Sequence, residues 1–370
     1  MSDYDHLLSE PERDLLFMLQ RFAADELMPR AAATDESGEF VHAQLADLAA
    51  LGMMGANLPE RWGGADISAH ALFEAVAAVA GGCGSTVSAL TAHYLATDSI
   101  LIGADDDLRA RILPDAAEGK LLGAFGLTEP NHGSDATWME TRAVRQDKDG
   151  QPGWLINGAK MWTTGMHAAS HLMCFARTSG KDGDATGITC FIVPANDPGI
   201  KIEEWLWTFN MPTDHPRLSI TNVWVPEDSY WGRIDHGLGL GQSFVHQNRI
   251  RQAASSLGAA IYCINESVKY ARQRKPFGKP LATNQGIQFP LVELQTQCEM
   301  LRWLIRHTAW QMDQMDHKTV EKEISDKVSM CNYWGNRLCC EAADRAMQVH
   351  GGMGYSRHKP FEHIYRHHRR

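Results

Sequence analysis

Excess positive charge, paired cysteines and long apolar runs are all missing from these 370 residues. Lys and Arg total 35 against 45 Asp and Glu, a formal charge of −10, so no basic field is available to hold a polyanion by counterion release. Nucleic acid is therefore not an expected partner. The eight cysteines form no C-x-x-C pair, and the neighbours Cys339 and Cys340 sit inside an apolar helical pattern. Reduced, mostly buried thiols in a cytoplasmic compartment are expected. The opening MSDYDHLLSEPERD is acidic and lacks the basic and apolar regions of a secretory signal. Elsewhere Gly or charge interrupts every apolar stretch well short of a membrane span, so a soluble chain is expected.

What is present is 44% hydrophobic residues, enough for two or three cores. The periodicity changes twice along the chain. Ser9 and Glu12 have capping-box spacing, and Leu15, Leu16, Leu19, Phe22 and Ala23 follow at helical spacing. Helical patterns return over Leu45–Ala50 and Ala71–Ala80. From about Gly123 to Gly232, β-branched and aromatic runs alternate with Gly, Pro, Asn and Asp, which predicts strands over 171–178, 187–193, 200–207 and 217–225. Trp154-Leu155-Ile156 before Asn157-Gly158 predicts a hairpin turn, since both turn residues tolerate positive φ. Beyond Gly241 the helical period resumes in three long segments. The first ends near Arg274 with Pro276 and Gly278 as stop signals, and the third spans about Lys322–Val349. The expected fold class is α+β in three domains: helical over 1–122, β over 123–235, and a C-terminal four-helix bundle over 236–370.

Four segments could carry chemistry, and each has a plainer explanation. Thr128-Glu129-Pro130-Asn131-His132-Gly133-Ser134-Asp135 concentrates amides and hydroxyls able to grip a ring edge or phosphate, or is an ordinary turn. In Lys160-Met161-Trp162-Thr163-Thr164-Gly165 an indole beside hydroxyls suits a flat aromatic cofactor, or is a strand with a core Trp. Lys269, Arg272, Arg274, Lys275 and Lys279 form either a diphosphate clamp or cations complementing a helix C-terminus. Gln348-Val349-His350-Gly351-Gly352-Met353-Gly354-Tyr355 ends a helix with more glycines than capping requires. His350, His358, His363, His367 and His368 lack the carboxylate or thiolate set that would complete a metal site, so no metal is expected.

Taken in order, TEPNHGSD, NGAKMWTT, VPEDSYWG, RQRKPFGKP with NQGIQF, and QVHGGMGY resemble the acyl-CoA dehydrogenase family over nearly the whole chain. The resemblance implies a helical domain, a β-barrel-like middle domain and a helical bundle. It implies FAD between the last two, completed by a neighbouring subunit of a homotetramer arranged as a dimer of dimers. Thr128, Trp162, Thr163 and Thr164 would contact the flavin, and Ser134 would serve cofactor and acyl-CoA arm. Arg274, Phe277, Gln285, Gln348, Gly351 and Gly352 would hold the partner subunit's FAD, and Arg249 would line the substrate cavity. The implied reaction is α,β-dehydrogenation of an acyl-CoA, with electrons passing to an external acceptor such as an electron-transfer flavoprotein. An acyl-CoA oxidase or other flavin-dependent relative, and a non-catalytic flavin- or acyl-CoA-binding protein, are the alternatives.

The catalytic base is not found among the matched residues. The family's usual glutamate is expected just beyond Arg370, so the chain is read either as shortened, which its end inside a helical pattern favours, or as a relative that does not use the ordinary base; the position of the minority base is occupied by Asn248, an amide. His246 stands where relatives often have Asp. Glu129 belongs to the turn and Glu362 is expected to pair with nearby arginines, so neither is assigned as base.

Overall fold

The computed structural model describes residues 8–208 and 215–369; Arg370 and most of the acidic opening lie outside the described residues. Helices, then strands, then helices follow one another along the chain, and the α+β class is borne out. Contacts gather the chain into two compact units: Met1–Ser37, Ile67–Ser88 and Asn248–Arg370 form one, Gly38–Asp66 and Ala89–Gln247 the other.

The first unit is helical. Helix α1 (Glu10–Phe22) opens with the capping box expected from the sequence: Glu12 N–H donates to Ser9 Oγ, and Ser9 N–H to Glu12 Oε2 at 2.8 Å. A π-helical turn leads into α2 (Met28–Ser37). Helix α4 (Ala69–Gly82) is capped by Ser68 and buries Leu72, Phe73, Val76 and Val79. The long α7 (Gly237–Gln273, its residues up to Gln247 counted with the second unit), α8 (Gln285–Asp313), α10 (Ser325–His350) and the short α12 (Phe361–His368) complete the unit. Small residues let these helices approach closely. A Cβ on Gly258 would stand 2.1 Å from the Ala77 carbonyl oxygen, and one on Gly335 3.0 Å from Ala253 Cα.

In the second unit, α5 (Gly84–Gly103, its first residues counted with the first unit) and α6 (Asp106–Ala117) accompany an eight-stranded sheet ordered β6-β7-β3-β2-β4-β5-β8, with β1 beside β4. The strands are β1 (Gly123–Gly126), β2 (Arg142–Arg145), β3 (Gly153–Lys160), β4 (His171–Arg177), β5 (Ile188–Pro194), β6 (Ile200–Trp205), β7 (Pro216–Pro226) and β8 (Tyr230–Trp231). Strand β4 is apolar on both faces because both are covered. Met173 and Phe175 join the core built with Ile100, Leu113 and Trp231, whereas Leu172, Cys174 and Ala176 join Trp154, Phe191 and Val225.

The hairpin expected at Asn157-Gly158 is not there. Strand β3 runs straight through both residues, and its register against β7 shifts between Ile156 and Gly158. The dipeptide makes a β-bulge: Asn157 Oδ1 accepts from Asn222 N–H at 2.7 Å, and the missing Cβ of Gly158 leaves room for Thr141. Residues favouring positive φ serve a bulge as well as a turn, and tertiary pairing decided between them.

All eight cysteines are unpaired and seven are buried. No helix among the described residues is long and apolar enough to cross a membrane.

Candidate active site

The two motifs of the second unit meet at one place. The main chain turns at Glu129-Pro130-Asn131-His132, where Glu129 N–H donates to the His132 carbonyl at 3.0 Å and His132 N–H returns a bond to the Glu129 carbonyl at 3.3 Å. Met161 N–H, just past the end of β3, donates to the Thr128 carbonyl at 2.9 Å. Thr128 therefore lies beside the segment bearing Trp162, Thr163 and Thr164.

Trp162 is not the core residue that a strand reading would make it. The residue is 46% exposed and its backbone is left-handed, with φ 61°. For a bulky side chain that conformation costs about 1–2 kcal/mol, and such strain is held where surrounding structure over-determines it. Here Thr164 N–H closes onto the Trp162 carbonyl at 3.0 Å, and Thr163 N–H reaches the Pro216 carbonyl at 3.4 Å. Thr163 faces inward: it is fully buried, and its hydroxyl has no partner among the described residues. Thr128 and Thr164 are half-buried, and their hydroxyls make no hydrogen bond among the described residues. An exposed indole flanked by two uncommitted hydroxyls is a platform for a flat ring with polar edges. Ser134 lies exposed farther along the same loop.

Beneath the platform is a buried ion pair. Lys160 Nζ lies 2.8 Å from Glu129 Oε1, and both side chains are withdrawn from solvent, at 0% and 2% exposure. Glu129 also accepts from Glu140 N–H at 2.6 Å and Thr141 N–H at 3.0 Å. Burial alone would raise the Glu129 carboxyl; the Lys160 charge and these hydrogen bonds outweigh it and hold the group below the usual carboxylate range. Glu129 is thus committed and unsuited to be a base. Lys160 sits in a motif visible in the sequence, but only the fold reveals its burial.

The residues matched to a dinucleotide anchor all lie in the first unit. Arg274 is exposed and makes no ion pair among the described residues, as are Arg272, Lys275 and Lys279. Its main chain is fixed by Arg274 N–H to the Tyr270 carbonyl and by Leu281 N–H to the Arg274 carbonyl, at 2.9 and 2.7 Å. Phe277 projects fully into solvent from a left-handed position, φ 55°. Gln285 at the start of α8 and Gln348 in the last turn of α10 are exposed. Three glycines follow α10 for different reasons. Gly354 is required by packing, since a Cβ would meet the Met347 carbonyl oxygen at 2.3 Å, and Gly351 by φ 59°. Gly352 faces open space, so its own fold does not demand a glycine. A bare backbone there suits close approach by a ligand or another chain.

On α7, Arg249 is half-buried, and Asn248 Oδ1 is enclosed without a partner among the described residues. Glu362 is occupied by Arg366, whose Nε lies 2.7 Å from Glu362 Oε2. The terminal histidines are likewise engaged: His363 Nδ1 lies 2.8 Å from Asp35 Oδ1, His367 Nε2 3.1 Å from Ser85 Oγ, and His368 Nδ1 3.0 Å from Ser256 Oγ.

The fold these features belong to is of the α+β class, helical at both ends with a central sheet. Models of the acyl-CoA dehydrogenase N-terminal, middle and C-terminal domains match residues 9–120, 124–223 and 235–370. An acyl-CoA dehydrogenase of Bacillus subtilis is 32% identical over 94% of this chain and 90% of its own. Among solved structures, butyryl-CoA dehydrogenase from Megasphaera elsdenii superposes with a TM-score of 0.90 at 28% identity, covering 98% of this chain and 93% of that one. A glutaryl-CoA dehydrogenase from Mycobacterium smegmatis in complex with FADH2 gives 0.87 at 25%, covering 99% and 91%. The chain belongs to the acyl-CoA dehydrogenase family, a family of FAD-dependent oxidoreductases acting on acyl-CoA thioesters.

Proposed function

We propose that this chain removes the α and β hydrogens of an acyl-CoA thioester in fatty acid metabolism, giving the trans-2-enoyl-CoA and passing the electrons to an electron-transfer flavoprotein. The observation that carries this reading is the half-exposed, backbone-strained Trp162 between the unbonded hydroxyls of Thr128 and Thr164. The indole would stack on the isoalloxazine, with Thr128 and Thr164 donating to its polar edge and Thr163 fixing the segment from within. Bound FAD supplies the two-electron acceptor for hydride leaving the β carbon. Arg274, Phe277, Gln285, Gln348, Gly351 and Gly352 would hold the diphosphate and adenosine of a partner subunit's FAD, and the uncommitted guanidinium of Arg274 supports that role. Ser134 and Arg249 would meet the acyl-CoA. The α proton leaves to a general base other than Glu129 and Glu362, which are held by cations, or Asn248, which is an amide.

A homotetramer is part of this reading. Phe289, Val292, Met300, Trp303 and Trp310 are exposed on α8. At 100° per residue they fall within an arc of about 80°, an uncovered apolar stripe of the kind that marks an interface. A second copy of the chain would also bring Arg274 to a neighbour's cofactor. A cytoplasmic location fits the unpaired thiols.

The test is anaerobic titration of the FAD-loaded protein with saturated acyl-CoAs of graded length. Bleaching of the flavin band by at least one thioester is the expected result. A fully loaded protein that no thioester bleaches would reduce the chain to a binding protein without turnover.

A further inference from the structure

Two segments that share no strand carry the ring platform, and their separation must be set by something other than sheet pairing. Thr128 lies in the loop after β1, Trp162 just past the end of β3, and neither strand pairs with the other. One main-chain hydrogen bond, Met161 N–H to the Thr128 carbonyl, links them directly. The other link is made by side chains. Glu129 is the neighbour of Thr128, and Lys160 lies two residues before Trp162.

Each end of the Lys160–Glu129 pair is tied into its surroundings. The ammonium bonds Glu129 Oε1 at 2.8 Å and approaches the Leu127 carbonyl at 3.4 Å, so it holds the chain on both sides of Thr128. The carboxylate takes the Glu140 and Thr141 amides, which close the far end of the same loop. Room for the lysine stem comes from Gly126, where a Cβ would stand 3.3 Å from Lys160 Cγ. A buried ion pair contributes little net stability against an apolar pair of similar volume, so its presence is better explained by geometry that an apolar pair would not define.

We propose that the Lys160–Glu129 pair positions the flavin-contacting surface, splinting the Thr128 loop to the Trp162 segment so that hydroxyl and indole meet the ring at a fixed separation. Both are positioning residues, since both side chains are enclosed in the protein, at 0% and 2% exposure. The inference rests on Thr128 and Trp162 contacting the flavin.

The experiment compares the wild-type protein with Lys160→Met, Glu129→Gln and the double variant Lys160→Met/Glu129→Gln. Apo-protein melting reports the fold, flavin fluorescence the FAD affinity, and the visible absorption band the ring's surroundings. Each single change strands a buried partner and should lower the melting temperature. The double change removes both charges and should recover much of that loss. If the pair positions the platform, the folded double variant still binds FAD about tenfold or more weakly and shows a shifted band. A folded double variant with wild-type affinity and band overturns the proposal. Should the double variant not fold, Glu129→Asp, which keeps the charge but withdraws the carboxylate by one methylene, is judged by the same criterion. Wild-type protein that takes up no FAD would instead defeat the flavin reading itself, an outcome these measurements separate.

Discussion

At the scale of single residues, charge placement inside the helical unit has a measurable signature in acid. Asp35, its side chain 8% exposed, sits between Arg366, whose guanidinium nitrogen lies 2.6 Å from Oδ2, and His363. Burial would raise its carboxyl, but the hydrogen bonds and charges of His363 and Arg366 outweigh that and hold it at about 2. A carboxyl depressed in the folded state adds stability above its unfolded value near 3.9, and that stability is lost as pH falls toward 2. Stability should therefore drop between about pH 4 and pH 2, with Asp35 contributing on the order of 2 kcal/mol. Asp35→Asn should be less stable at neutral pH by a similar amount and show a flatter acid limb. Denaturant melts at several pH values check this, and parallel acid limbs for the two proteins would remove Asp35 as the cause.

Among elements, β3 is the informative one. Its bulge at Ile156/Gly158 keeps the strand continuous from Gly153 to Lys160, which delivers Lys160 beneath the platform and Trp162 onto it. A Cβ on Gly158 would lie 2.4 to 2.7 Å from atoms of Thr141, the residue whose amide caps Glu129. Gly158→Ala should accordingly destabilise the protein by about 1–3 kcal/mol through overpacking, read as a lower denaturant midpoint at unchanged m-value. A neutral outcome would argue against the close approach of Gly158 to Thr141.

For the whole molecule, the apolar stripe on α8 makes assembly the natural question. Trp303 and Trp310 are exposed to 49% and 59% in the single chain. Replacing both by Glu would place charge in the core of an interface, at the added cost of the contact between the Trp303 ring and the buried Arg306 guanidinium 6.0 Å away. Sedimentation should then show a smaller species than wild type, with reduced FAD retention wherever a partner's Arg274 is needed. An unchanged sedimentation coefficient would show that this face does not carry the assembly.

Most of the fold was legible in the residue pattern, because helical and strand periods report which faces meet apolar neighbours. The capping box at Ser9 and the stop after Gln273 were readable for the same reason: both depend on local geometry. The sequence by itself determined the order of helices and strands, the family motifs and the net charge of −10. Only the tertiary structure decided that Asn157-Gly158 is a bulge, that Trp162 is exposed and strained, and that Lys160 meets Glu129 across a separation of 31 residues. Those outcomes depend on strand register and on which side chains are enclosed together, quantities that local spacing along a chain does not encode.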